Sequence, residues 1–107
     1  MERVRVVIVD DEHLVRSGLR LVLDGAHGIS VVGEAGGGDA AVAIVRELAP
    51  DLVLMDVRMP QGNGIEATRM LSQGPQAPKI VMLTAFDTDE FLLDALDAGA
   101  SGFLLKD

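Results

Sequence analysis

The chain has 107 residues, of which 49% are hydrophobic, and it carries a formal net charge of −8 and no cysteine. This length suits one folded domain with a real core, whereas the acidic balance argues against direct binding of nucleic acid or an anionic membrane by this segment, since both need clustered lysine and arginine. Disulfides and thiolate metal sites are excluded, and without a signal peptide or a long apolar run we expect a cytoplasmic protein.

Short apolar runs alternate along the chain with segments of helical spacing. The first run predicts a strand at about 4–9. A helix should follow, capped by Asp11 or Glu12 and ending near Gly25 and Gly28. The apolar positions of this helix share a helical spacing: Leu14, Val15, Leu19, Val22 and Leu23. The chain therefore begins as a strand followed by an amphipathic helix.

The same alternation continues to the end of the sequence. A second strand at about 29–34 alternates less cleanly and is expected at a sheet edge. Asp39 is expected to cap the second helix, and Pro50 stops it. That helix should turn Ala41, Ile44, Val45 and Leu48 inward. The remaining strands are predicted at about 52–56, 80–84 and 102–105, with helices at 65–72 and from Thr88 or Asp89 to Gly99. This order predicts a parallel sheet with right-handed crossovers.

Polar residues suited to phosphate chemistry stand at the ends of four predicted strands. Asp10 and Asp11 follow the first strand and Asp56 ends the third, while Thr84 ends the fourth and Lys106 follows the fifth. Ligands bind at the carboxyl ends of parallel strands, so these side chains should converge on one edge of the sheet. Taken alone, each of these residues can be explained more simply, as a helix cap or as a solvated surface side chain. Together they predict a site for a divalent cation and a phosphoryl group.

A carboxylate in such a site can attack a phosphoryl group and become an aspartyl phosphate. We take Asp56 as the nucleophile, because its strand lies between the acid pair and Lys106. Mg²⁺ held by the carboxylates, together with Lys106, would neutralise charge on the phosphoryl oxygens. Thr84 and the amide of Ala85 would donate hydrogen bonds to the same group. No histidine is placed to join the site, which argues against zinc.

The chain resembles, over essentially its whole length, the receiver domain of bacterial two-component response regulators, and in particular the NarL/FixJ branch. The motifs that carry this resemblance are Val-Asp10-Asp11-Glu, Met55-Asp56-Val-Arg-Met-Pro60, Gly62-Asn-Gly64, Leu83-Thr84-Ala85 and Gly-Phe103-Leu-Leu-Lys106. The resemblance implies a flavodoxin-like, doubly wound α/β fold with five parallel strands in the order 2-1-3-4-5. It also implies a signalling domain that is not an enzyme and that promotes only its own phosphotransfer and dephosphorylation.

The resemblance further implies a role for each site residue. Asp56 would accept phosphate from a sensor histidine kinase, and Asp10 and Asp11 would hold Mg²⁺ with Asp56 and the main-chain carbonyl of Arg58. The phosphoryl group would be bound by Thr84, Ala85 and Lys106. Phe103 stands at the family's aromatic switch position and would follow Thr84 inward on phosphorylation, through packing alone because it lacks a hydroxyl.

The same resemblance implies parts beyond residues 1–107, which we interpret as one receiver domain. Members of this branch usually carry a C-terminal helix-turn-helix domain that binds DNA, so we expect transcription regulation by the parent protein. Helices 1 and 5 often form contacts between receivers in this branch, which makes a homodimer on phosphorylation one candidate state. A sheet of this kind needs helices on both faces. Because the chain stops just after the fifth predicted strand, we expect a fifth helix that is missing here.

Three other functions remain open. A haloacid-dehalogenase phosphatase also uses a strand-end aspartate, but it needs a second acid two residues later, where this chain has Arg58. A dinucleotide-binding module would explain the glycines at 36–38, with Asp56 at the expected distance, but would leave the other strand-end residues without a role. A receiver that binds partners without phosphorylation would not need the intact acidic set.

Overall fold

The computed structural model describes residues 3–57, 64–84 and 89–105, and within these ranges all side chains except those of residues 84, 89–93 and 105. The strands are β1 (Val4–Val9), β2 (Ile29–Ala35), β3 (Leu52–Asp56), β4 (Lys79–Thr84) and β5 (Gly102–Leu105). The helices are α1 (His13–Asp24), α2 (Gly38–Leu48), α3 (Gly64–Leu71) and α4 (Asp89–Ala98). The predicted alternation is confirmed, with bounds that agree to about one residue. Among the described residues, no helix is long and apolar enough to cross a membrane.

The strands form one parallel sheet in the order β2-β1-β3-β4-β5. This is the flavodoxin-like order that was predicted, and β2 lies at an edge as expected. The chain steps outward from β1 to β2, returns past β1 to β3, and then continues to β5. The strand order therefore reverses between β1 and β3. In open α/β sheets such a reversal opens a crevice at the carboxyl ends of the two strands, which is where ligands bind.

Aliphatic side chains fill both faces of the sheet. The larger cluster lies beneath α2, α3 and α4, and its strand residues include Val7, Val53, Met55, Ile80 and Met82, all fully buried. The smaller cluster lies beneath α1 and consists of Val6, Ile8, Val31, Leu54 and Leu83, with Leu19 and Leu23 of the helix packed against it. The alternation of side chains along each buried strand supplies both layers.

The apolar set predicted for α1 is only partly right. Leu19 and Leu23 pack on the sheet, but Leu14 and Val22 are 83% and 71% exposed, and no residue of α1 is fully buried. Leu104 of β5, which pairs with Leu83 on the same face, is also half exposed. The described residues thus leave this face of the sheet incompletely covered. The fifth helix that we expected there stays a prediction.

Both side-chain caps that we predicted are wrong in detail. Glu12 occupies the cap position of α1 but makes no side-chain capping hydrogen bond; its own amide donates to Asp10 Oδ1 at 2.9 Å instead. Gly37 caps α2, and Asp39 lies within the first turn. Gly37 is buried, so a carboxylate there would lose water, whereas Asp39 stays solvated and still benefits from the helix dipole.

The pairing of β1 with β2 contains a one-residue irregularity. Val6 pairs with Val31, but Val7 pairs with Gly33, so Val32 is an extra residue on the edge strand. Beyond this bulge Glu34 pairs with Ile8, whose side chain belongs to the cluster beneath α1. The bulge explains the imperfect alternation in the sequence of β2, and it turns Glu34 towards α1.

Candidate functional site

The acidic residues meet where β1 and β3 end side by side. Val9, the last residue of β1, pairs with Met55, and the next residue of each strand segment is an aspartate: Asp10 and Asp56. Asp10 is fully buried and Asp56 is 5% exposed, whereas Asp11 faces solvent. The site is thus a pair of enclosed carboxylates with a third at its mouth, at the reversal point of the strand order.

The three carboxylates are close enough to share one cation. One oxygen from each of Asp10, Asp11 and Asp56 lies within 4.8 Å of the others. Oxygens around Mg²⁺ at about 2.1 Å are separated by about 3 Å when adjacent and about 4 Å when opposite, so small side-chain rotations would bring these oxygens into range. Hard oxygen donors of this kind suit Mg²⁺. The predicted convergence of the acids is therefore confirmed by the geometry, and their chemistry fits the ion.

Asp10 is held by hydrogen bonds on three sides. Its amide donates to Ala35 O at 3.0 Å, and its Oδ1 accepts from the amide of Glu12. Its carbonyl oxygen accepts from Arg16 Nη1 at 2.5 Å. These bonds come from β2, from the turn after β1 and from the first turn of α1. The carboxylate is therefore oriented by the backbone around it before any ligand arrives.

Asp56 is held by the start of α3. The amide of the following residue, Val57, donates to Leu83 O, and Gly64 donates to Val57 O, both at 3.1 Å. A Cβ atom added to Gly64 would lie 1.9 Å from Asp56 O. The third helix was predicted to begin at residue 65, which left Gly64 in front of it. The structure places it instead as the first residue of α3, in direct contact with the Asp56 peptide.

Arg16 and Glu34 contribute to the site although neither was predicted. Arg16 Nε pairs with Glu34 Oε1 at 3.2 Å, and Arg20 Nη1 pairs with Glu34 Oε2 at 2.5 Å. The hydrogen bond from Arg20 has the largest effect on the pKa of Glu34 and lowers it. The positive charge of Arg20 and the hydrogen bond and charge of Arg16 also lower this pKa, whereas partial burial raises it. The only hint in the sequence was an arginine one helical turn after the acid pair, which is too common a feature to single out.

The side of the site that is predicted to bind a phosphoryl group is described only in part. Thr84 ends β4 and pairs with Leu105, one position beyond the pairing of Leu83 with Asp56, so its backbone lies at the same edge as the acids. Phe103 pairs with Met82 and packs, partly buried, against the cluster beneath α2, α3 and α4. Arg58, Ala85 and Lys106 lie outside the described residues, as does the side chain of Thr84, so their roles stay predictions.

Comparison with known proteins identifies the family. Residues 6–107 match the model of the response regulator receiver domain. The chain is 43% identical over 106 residues to an uncharacterized transcriptional regulatory protein, YxjL of Bacillus subtilis, covering 99% of this chain and 49% of that protein. It is 42% identical to the response regulator GacA of Pseudomonas aeruginosa, covering 96% of this chain and 48% of that protein. The chain thus spans about half the length of these curated relatives.

Solved structures agree in fold and in branch. The signal receiver domain of the putative response regulator NarL from Mycobacterium tuberculosis superposes with a TM-score of 0.95 at 36% identity, covering 100% of this chain and 86% of that one. A LuxR-family two-component response regulator from Aurantimonas sp. SI85-9A1 gives a TM-score of 0.92 at 39% identity, covering 99% and 76%. The chain therefore belongs to the receiver domains of bacterial two-component response regulators, among relatives of the NarL/LuxR type.

Proposed function

We propose that this domain accepts a phosphoryl group on Asp56 from a sensor histidine kinase. The observation that carries the proposal is the meeting of three carboxylates, two of them enclosed, at the reversal point of the sheet. Asp56 is the acceptor because it ends the central strand of the five, with neighbours on both sides. One of its carboxylate oxygens bonds to phosphorus while the bond from phosphorus to the kinase histidine nitrogen breaks, and the electron pair of that bond leaves with the imidazole.

Asp10, Asp11 and Asp56 would hold Mg²⁺, together with the main-chain carbonyl of Arg58. When bound, the ion lowers the repulsion between the carboxylates and the incoming phosphoryl oxygens. Asp10 keeps its orientation through its bonds to Ala35 and Glu12. Asp11 has the exposure that a ligand at the entrance needs.

We assign the binding of the phosphoryl oxygens to three groups: Thr84, the amide of Ala85 and Lys106. The backbone of Thr84, at the same edge as Asp56, supports this assignment. Phe103 would report phosphorylation by repacking against the β4–β5 side of the core, where its ring already lies partly buried. The domain would act as an acceptor that promotes only its own phosphotransfer and dephosphorylation.

We assign the response to phosphorylation to a part of the protein outside the described residues. Three curated relatives of which the chain covers about half are transcriptional regulatory proteins of Bacillus subtilis, so we propose that the full protein works in the cytoplasm and controls transcription through an attached helix-turn-helix domain. Phosphorylation would shift the receiver towards a homodimer. A helix after β5 would cover the exposed side chains of Leu14, Val22 and Leu104 on the α1 face.

Intact-mass spectrometry after incubation with acetyl phosphate and Mg²⁺ tests the proposal. We expect one phosphoryl adduct on the wild-type protein, and none with EDTA or in Asp56→Asn. Asp39→Asn is the matched control, because Asp39 is an exposed aspartate of α2 outside the cluster; it should be labelled as the wild type is. An adduct that persists in Asp56→Asn would refute the assignment of the acceptor.

A further inference from the structure

Arg16 connects the cation site to the edge strand. Its side chain is 18% exposed, and its guanidinium contacts Asp10 and Glu34 as well as His13, whose Nδ1 lies 3.4 Å from Nη2. Nη1 donates to the carbonyl oxygen of Asp10 at 2.5 Å, and Nε pairs with Glu34 at 3.2 Å. A guanidinium has several donors in a fixed plane, so a contact that holds one edge of it also orients the other. Glu34 on β2 therefore determines where the donor to Asp10 points.

The carbonyl that Arg16 contacts belongs to the peptide unit between Asp10 and Asp11. This unit is planar, so a bond to its oxygen restrains the backbone on both sides at once. Asp10 has two further restraints, from Ala35 and Glu12. Asp11 is exposed, and the hydrogen bond from Arg16 acts on the peptide that carries it. The relative position of the two adjacent carboxylates thus depends on this contact.

A guanidinium beside a cation site needs its charge balanced. An isolated positive charge at this distance would repel a divalent cation. Glu34 is paired with Arg16 and also with Arg20, whose Nη1 contacts its other oxygen. The carboxylate therefore offsets positive charge next to the site, while the donor to Asp10 stays in place.

We propose that Arg16 is a positioning residue for the cation site: held by Glu34, it fixes the peptide unit between Asp10 and Asp11, and so sets the spacing of two of the metal-binding carboxylates. The inference rests on the proposed function, because it gives Asp10 and Asp11 the role of holding Mg²⁺. It adds a residue of α1 and a residue of the edge strand to a site otherwise built from strand ends.

Titration calorimetry of the full protein with Mg²⁺ alone tests the inference. Arg16→Lys keeps the positive charge but lacks the planar set of donors that contacts Asp10 and Glu34 at the same time. We expect it to bind Mg²⁺ on the order of tenfold more weakly than the wild type, as for other residues that orient metal ligands. Arg20→Lys is the matched control, since Arg20 lies one turn further along α1, pairs with Glu34 and donates to Val31 O. Its affinity should stay within about twofold, as for exposed ion pairs.

A spectroscopic readout separates positioning from general loosening. The amide of Asp11 shares the peptide unit that Arg16 contacts, so its ¹H–¹⁵N resonance in the metal-free protein should move in Arg16→Lys and not in Arg20→Lys. Glu34→Gln, which releases Arg16 without altering it, should move the same resonance and also weaken Mg²⁺ binding. This second variant keeps the test decisive if Arg16→Lys folds poorly.

The outcomes distinguish this inference from the proposed function. Equal Mg²⁺ affinity in the wild type, Arg16→Lys and Arg20→Lys would overturn the role of Arg16, and so would an Asp11 resonance unmoved in both Arg16→Lys and Glu34→Gln. Phosphorylation of Arg16→Lys at saturating Mg²⁺ should still occur on Asp56, which leaves the proposed function standing in either case. A wild-type protein that binds no Mg²⁺ would overturn both.

Discussion

Replacing Gly64 by alanine should displace Asp56, the residue that we propose as the phosphoryl acceptor. The added Cβ would lie 1.9 Å from Asp56 O and 2.9 Å from the Asp56 carbonyl carbon. Carbon and oxygen atoms in close contact are normally about 3.3 Å apart, so α3 and the end of β3 must separate by more than about 1 Å. Both contacting atoms belong to the backbone, so no change of side-chain rotamer can relieve the overlap. The acceptor strand or the helix must move.

The cost can be worked from this geometry. Overpacking a tight contact costs about 1–3 kcal/mol, and separating α3 from β3 also breaks the 3.1 Å hydrogen bond from Gly64 to Val57 O, worth about 1 kcal/mol. Alanine regains up to about 1 kcal/mol of helix propensity. With the full gain in propensity, the net loss should be about 1–3 kcal/mol in the free energy of unfolding, or roughly 5–15 °C in Tm for a domain of this size.

Urea unfolding with a matched glycine control measures this effect. Gly18 lies within α1, and a Cβ added there meets nothing within 4 Å. Gly18→Ala should therefore be neutral or stabilise by about 0.5–1 kcal/mol. Gly64→Ala should in addition take up phosphate from acetyl phosphate more slowly, because the Asp56 peptide has shifted. A Gly64→Ala protein with the wild-type urea midpoint and labelling rate would refute the close approach as a constraint on the site.

Three further predictions concern the supporting contacts. In the folded protein the pKa of Glu34 lies below its usual value of 4.5. The ion pairs of Glu34 therefore stabilise the protein fully at pH values above 4.5, and this stabilisation is lost as the pH falls through the folded-state pKa. Urea unfolding should show Glu34→Gln less stable than the wild type at neutral pH, with the difference shrinking as the pH falls below 4.5; a constant difference would contradict the ion-pair origin. Thr68→Val should cost about 1 kcal/mol by the same assay, because the buried hydroxyl donates to Gly64 O at 2.7 Å, and an unchanged midpoint would show that this bond contributes nothing. Deleting Val32, the extra residue of β2, should lower Tm but leave Mg²⁺ affinity intact, because the shortened strand keeps Glu34 paired with Ile8 on the α1 face; a large loss of affinity would contradict the view that this pairing is what places Glu34.

The sequence predicted the sheet well because its strands are distinct in composition. The runs at 52–56 and 102–105 are apolar and bounded by turn residues or prolines, and their observed bounds agree with the prediction. The acids at the strand ends follow from the same reasoning, since the carboxyl ends of neighbouring parallel strands must meet. For Asp10 and Asp56 the prediction needed only the order of the strands.

Features that depend on solvent exposure were harder to predict. Helical spacing placed Leu14 and Val22 with Leu19 on an inner face of α1, but the structure leaves the first two in solvent. An amphipathic pattern indicates which residues can be buried and does not indicate how wide the contacting face is. The caps failed for a related reason. A polar residue near a helix start is a capping candidate, but whether its side chain can reach the free amides depends on the path of the preceding loop.

Close backbone contacts and side-chain bridges could not be predicted either. Gly64 reads in sequence as one glycine of a turn-rich segment, and its necessity becomes evident only when α3 is placed against Asp56. Arg16 and Glu34 are 18 residues apart, and in the sequence neither differs from an ordinary charged surface residue. Their contact depends on the register of β2 against β1, which a single sequence does not reveal.

That register has its own physical origin, and it links the sheet edge to the cation site. Val32 packs against the larger cluster, and a Cβ on Gly33 would meet Ile44 and Leu48 of α2, so these two consecutive residues both face α2. If all residues of β2, including Val32, were paired in regular register, Glu34 would lie opposite Val9 and its carboxylate would face that cluster, where burying an unpaired charge costs several kcal/mol. The extra residue avoids this by turning Glu34 to the α1 face. The bulge that keeps a charge out of the hydrophobic core therefore also brings Glu34 to Arg16, and through Arg16 to the peptide between Asp10 and Asp11, the two carboxylates that we propose bind Mg²⁺.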